Sequence, residues 1–253
     1  MTHVLAVIDD TPAAADVLSA AQALALTLGT AVHGLHVREG DAGMAEAVAA
    51  HAGVSVEVVD GDAVARILQA AADPFVSVIV VGARCHPGGH RPGGHVAVAV
   101  MLGAAAPVLV VPPDAKLPDS GRFHRLLVPL AGEAEHAEAR AAIVHELVTA
   151  GVDVVAVHVF DPASVPRFWD QAGHAPQSWA TEFRTKWCEE PDIDLHLRSG
   201  DVAGAILHVA AGEHADVIAV GWSQDLAPDR ACIVRDLLGR AEIPILLTPT
   251  RRP

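Results

Sequence analysis

Short apolar runs alternate with alanine-rich stretches along the whole chain. In the first half, runs rich in β-branched residues fall near 3–9, 31–37, 54–59, 76–82 and 107–112. Stretches near 12–28, 42–51, 62–73 and 95–105 carry helix-forming residues instead. The runs are apolar at consecutive positions, as in Val78-Ile79-Val80-Val81 and Val108-Leu109-Val110-Val111. Strands of that kind must be covered on both faces, which predicts a parallel sheet between two helical layers. The β-α-β-α order predicts a doubly wound α/β fold, with ligands beyond the carboxyl ends of the strands where strand order reverses.

The pattern then repeats. Val4-Leu5-Ala6-Val7-Ile8-Asp9 is answered by Leu126-Leu127-Val128-Pro129-Leu130-Ala131, and Gly34-Leu35-His36-Val37 by Ala156-Val157-His158-Val159, both at an offset of 122. Gly61-Asp62 before Ile67-Leu68 is answered by Gly200-Asp201 before Ile206-Leu207, and Val80-Val81-Gly82 by Ala219-Val220-Gly221, now at 139. Pro107-Val108-Leu109-Val110 matches Pro244-Ile245-Leu246-Leu247 at 137. Five landmarks in one order describe an internal duplication. Its halves are 1–113 and 124–253, joined by a turn-rich linker over 114–123. The change of offset places a 17-residue insertion in the second half, within 160–190. Six of the chain's nine aromatic residues, from Phe160 to Trp187, lie there. Trp179, Phe183 and Trp187 share one helix face, a candidate surface for self-association or a protein partner; a helix packing that face on its own sheet is the alternative.

Charge narrows the function. At −14 overall, the charge argues against a general nucleic-acid surface, which would need a basic face. Apolar runs are too short to span a membrane, and no signal peptide is evident. Three scattered cysteines form neither a disulfide framework nor a zinc motif, which suits a cytoplasmic protein. Against this acidic background, no Asp or Glu occurs between Pro74 and Pro113. Within that interval lies the loop Gly82-Ala83-Arg84-Cys85-His86-Pro87-Gly88-Gly89-His90-Arg91-Pro92-Gly93-Gly94-His95. Glycines let successive N–H groups converge on an anion, the helix starting near Gly94 or His95 adds its free N–H groups, and Arg84 and Arg91 add full charges. The bland alternative is a mobile connection with solvated arginines.

The counterpart in the second half is Gly221-Trp222-Ser223-Gln224-Asp225-Leu226-Ala227-Pro228-Asp229-Arg230, with one glycine and two carboxylates that would repel phosphate. His86, His90 and His95 share one loop without a carboxylate or cysteine pair, so no metal site is predicted. His36 and His158, at matching strand ends, are expected to make structural hydrogen bonds, and Asp62 and Asp201 to cap helices. The run Val96–Leu102 is apolar all round, so its helix is expected to be covered by core or partner.

This layout resembles the universal stress protein family, here in tandem, over about 3–113 and 124–250. The resemblance implies two Rossmann-like, flavodoxin-like domains, each a five-stranded parallel sheet of order 3-2-1-4-5. Nucleotide-binding members end the first strand in an aspartate and carry a G-x2-G-x9-G-[ST] loop after the fourth. Asp9 matches the aspartate and Val37 ends the second strand. Gly82 opens the loop, Cys85 stands at the second glycine, and Gly94-His95 closes a loop one residue short. The resemblance implies a stress-response, ligand-sensing regulator that is not an enzyme, with ATP or a related adenine nucleotide in the first half only. Its binding residues would be Asp9, Val37, Gly82, Arg84, Arg91, Gly93, Gly94 and His95. The alternative is a scaffold without nucleotide, acting through protein contacts. No catalytic residue is identified, and slow ATP hydrolysis ranks last.

Overall fold

The structure, a computed structural model, describes residues 2–38, 44–83, 94–130, 135–160, 193–226 and 231–249. The first half runs β1 (His3–Ile8), α1 (Ala14–Leu28), β2 (Ala31–Arg38), α2 (Met44–His51), β3 (Val56–Asp60), α3 (Ala63–Ala71), β4 (Val76–Gly82), α4 (His95–Gly103) and β5 (Val108–Val111). The second half runs β6 (Arg125–Pro129), α5 (Glu135–Thr149), β7 (Asp153–Phe160), β8 (Asp194–Ser199), α6 (Val202–Gly212), β9 (Val217–Trp222), α7 (Cys232–Arg240) and β10 (Ile245–Pro249). The aromatic stretch proposed as a partner surface lies, beyond Phe160, outside the described residues.

All ten strands form one sheet of order β3-β2-β1-β4-β5-β10-β9-β6-β7-β8. Each half contributes the order 3-2-1-4-5 and pairs in parallel throughout. The halves meet where β5 and β10 run antiparallel, with Leu109 opposite Leu246 and Val110 opposite Ile245. Two otherwise open edges thereby satisfy each other's backbone groups.

Alternation along the strands sorts side chains into two cores. Ile79 and Val81 of β4 face one, with residues of α3, α4, α6 and α7. Val78 and Val80 face the other, with α1 and α5. Both cores cross the β5–β10 seam, so the halves share their apolar interior. Gly82 belongs to the α1 side: a Cβ there would lie 3.2 Å from Val17 Cγ2, so a small residue lets α1 sit close to the strand end.

Capping follows the expected chemistry. Asp62 Oδ1 accepts from Ala65 N at 2.8 Å and Asp201 Oδ2 from Gly204 N at 3.0 Å, each N-cap in extended backbone. The apolar helix α4 is covered less completely than expected. Ala97, Val100 and Met101 are buried, whereas Leu102 is 39% exposed. A contact from the other half holds its carboxyl end: the Gln224 amide donates to Met101 O at 3.1 Å and Ala104 O at 2.7 Å. The linker is fastened at both ends. Phe123 is buried and its N–H donates to Thr27 Oγ1 at 2.9 Å, while Lys116 pairs with Glu242 by main chain and side chain.

Candidate functional site

β1 and β4 are neighbours in the sheet, yet the chain leaves them on opposite faces. After β1 it turns into α1 on one side; α4, which follows β4, lies on the other. A crevice must open where those paths diverge. In the structure it is a cleft of about 490 Å³ lined by Asp9, Val37, Gly82, Gly94 and His95, with Ile67 and Ala97 among its apolar walls. Five of the eight residues singled out from the sequence are thus gathered in one place. The other three, Arg84, Arg91 and Gly93, lie outside the described residues.

Each wall has a local cause. Asp9 follows the last residue of β1, and its Oδ1 accepts hydrogen bonds from Thr11 N, at 3.1 Å, and from the Thr11 hydroxyl. This turn orients the carboxylate as the chain heads for α1. Val37 is held in register opposite Val59 of β3, one residue beyond His36, which pairs with Ile8 at the end of β1. Gly94 is the N-cap of α4 and supplies no side-chain bond to the helix. The first intrahelical bond runs from Val98 N to Gly94 O, so the N–H groups of the opening turn stand at the cleft without an intrahelical partner. They favour an anion there.

Two cleft residues were not foreseen as a pair. Asp10 lies one residue beyond Asp9; its Oδ1 accepts from Ala45 N, in the first turn of α2, at 2.9 Å. Its Oδ2 lies 3.2 Å from His36 Nε2, whose ring is almost fully buried. His36 Nδ1 in turn donates to Ile8 O at 3.1 Å. The structural hydrogen bond expected of His36 is therefore present, and with Asp10 it ties β1, β2 and α2 together behind the cleft. The signal available in the sequence was only that His36 recurs as His158.

The corresponding place in the second half is built differently. Trp222, at the position of Ala83, is 3% exposed and belongs to the apolar cluster of Ala203, Ile206 and Val234. Those residues occupy the sheet face that bears the cleft in the first half. Ala131, at the position of Asp9, lies outside the described residues.

The profile of the universal stress protein family matches residues 122–249, just over half of the chain. The chain belongs to the universal stress protein family. Among solved structures, a universal stress protein from Archaeoglobus fulgidus DSM 4304 is 18% identical with a TM-score of 0.70, covering 98% of each chain. A functionally unknown protein from Pseudomonas aeruginosa PAO1 is 15% identical with a TM-score of 0.69, covering 99% of this chain and 93% of that one. At such identities the likeness is one of fold. No curated protein matches the chain. No helix among the described residues is long and apolar enough to cross a membrane.

Proposed function

We propose that this protein is a tandem universal stress protein, a non-catalytic ligand sensor that binds ATP or a related adenine nucleotide in its first half alone. The observation that carries the reading is the convergence of Asp9, Val37, Gly82, Gly94 and His95 on one cleft at the switch point. Its volume of about 490 Å³ lies within the roughly 300–1,000 Å³ of small-molecule sites. In this reading the Asp9 carboxylate accepts from the adenine amino group or a ribose hydroxyl, and the Val37 main chain meets the base. The N–H groups at Gly94 and His95 take the phosphates, with Gly82, Gly93, Arg84 and Arg91 from the loop. The buried Trp222 fits a second crevice closed to nucleotide.

Calorimetry of ATP binding to the intact chain tests this, with mass analysis of nucleotide released from protein purified without added ligand. One equivalent per chain is expected; two would mean that the second crevice also binds. No binding at millimolar ATP would leave a scaffold that works through protein contacts. That second reading draws on Asp9 Oδ1 already accepting twice from Thr11 and on Cys85 interrupting the glycine pattern. Its contact surface would be the 160–190 aromatic stretch: Trp179→Ala with Trp187→Ala should then change self-association or partner binding more than stability.

A further inference from the structure

At the opposite end of the strands from the crevices, the edge of the second half gathers a different chemistry. Asp194 and His196 stand two residues apart on β8, so their side chains share one face of the edge strand. Glu213 immediately follows α6 and reaches the same place. His196 Nε2 lies 3.1 Å from Glu213 Oε1 and 3.8 Å from Asp194 Oδ2. One ligand atom from each residue falls within 4.8 Å of the others. The Nε2 atom is shielded from solvent, yet neither carboxylate makes a hydrogen bond with it. The carboxylates face the nitrogen without hydrogen-bond geometry, so its bonding capacity is left for another partner.

We propose that Asp194, His196 and Glu213 form a binding site for a divalent transition-metal ion of the zinc class. Tetrahedral coordination with bonds of about 2.0–2.2 Å places ligand atoms roughly 3.3–3.6 Å apart, close to the spacing around Nε2. One imidazole nitrogen with two carboxylates suits zinc better than the hard, all-oxygen preference of calcium or magnesium. Asp194 is exposed, which leaves room for water as a fourth ligand. The first half lacks the set, because Ser55, Glu57 and Pro74 stand at the corresponding positions. Bound there, the ion would clamp the edge strand β8 to the segment after α6.

Two cationic neighbours oppose the ion: Arg125 Nη1 lies 3.9 Å from Glu213 Oε2, and Arg198, beside the imidazole, sharpens the test. Arg198 Nη2 lies 3.2 Å from His196 Nδ1, and a guanidinium only donates. Nδ1 therefore accepts, and the ring proton resides on Nε2. Ligation through Nε2 moves that proton to Nδ1, so the Arg198 head must swing aside. Arg198→Ser removes this competition and should tighten binding.

The experiment uses the full-length chain, stripped with a chelator and titrated with Zn²⁺ against a chromophoric competitor, with Co²⁺ as a spectroscopic probe. One tight equivalent is expected, with the visible spectrum of tetrahedral Co²⁺ and a raised melting temperature by mass action. His196→Gln and Glu213→Gln should each abolish that spectrum and weaken Zn²⁺ by more than the roughly 10–100-fold typical of outer-shell losses. Arg198→Ser should strengthen it. His145→Gln, at an exposed helical position, controls for the chain's 15 histidines and should change nothing. Circular dichroism verifies that each variant is folded; should His196→Gln not fold, Glu213→Gln and Arg198→Ser decide. The proposal is overturned if the chain takes up no Zn²⁺, or if binding is indifferent to residues 196, 213 and 198.

Discussion

His36 and His158, 122 positions apart, make the same hydrogen bond: Nδ1 of each donates to the carbonyl near the end of the neighbouring first strand, Ile8 O at 3.1 Å and Leu130 O at 2.8 Å. The two halves thus share a side-chain bond that pins two strand ends, while its surroundings differ. Asp10 meets His36 in the first half, and glycine stands at the corresponding position 132. Changing either histidine to leucine removes the carbonyl's partner and should lower the unfolding free energy by about 1–3 kcal/mol. His36→Leu should be the more damaging, because the Asp10 carboxylate loses its neighbour too. Chemical denaturation of the two variants side by side checks the order.

The proposed restriction of nucleotide to the first half yields a second expectation. Trp222→Ala should leave ATP affinity unchanged while destabilising the fold by about 3–5 kcal/mol, the usual range for a buried Trp. Arg84→Ala or Arg91→Ala should do the reverse, weakening ATP by about 1.5–3 kcal/mol with little effect on stability. Calorimetry and thermal melts on the same samples separate the effects. An unchanged affinity in both arginine variants would remove the loop from the site.

Asp62 and Asp201 perform equivalent capping in the two halves, so Asp62→Ala and Asp201→Ala should each destabilise by about 1 kcal/mol. Arg240 lies 3.1 Å from Asp201 Oδ2, in an exposed pair. A double-mutant cycle between Asp201 and Arg240 should therefore return a coupling of only about 0.2–1 kcal/mol.

A pH effect is expected from the first strand. The rings of His3 and His33 stack with centroids 4.2 Å apart. Partial burial, then the nearby His33, hold the His3 imidazole below its ordinary value, with Asp73 opposing. The folded state accordingly disfavours protonated His3. This contribution to stability is complete above the unfolded value of about 6.5. It is lost as pH falls from there through the lower folded value, because the unfolded chain takes up the proton first. Removing the group with His3→Gln should flatten stability against pH just below that point. His33→Gln should raise the His3 titration midpoint, followed by proton NMR.

Much of the architecture was legible along the chain. Strands expected near 3–9, 31–37 and 76–82 occur at His3–Ile8, Ala31–Arg38 and Val76–Gly82, and the two aspartate caps sit where they were expected. These features depend on residues within a few positions of one another: an apolar run covered on both faces, or a carboxylate three residues before an open N–H. Position on the sheet also carried Asp9, Val37, Gly82, Gly94 and His95 into one cleft, because a doubly wound order has a defined point of divergence. The tertiary structure alone decided what joins distant positions. β5 and β10 are apolar on both faces, a pattern compatible with either direction of pairing, and only the fold sets Leu109 against Leu246 antiparallel. Gln224 reaches the carbonyls of Met101 and Ala104 across the seam, Asp10 meets His36, and Glu213 arrives beside His196 from a different element. No local periodicity encodes such meetings; they exist because the packed layers fix where each strand and helix ends in space.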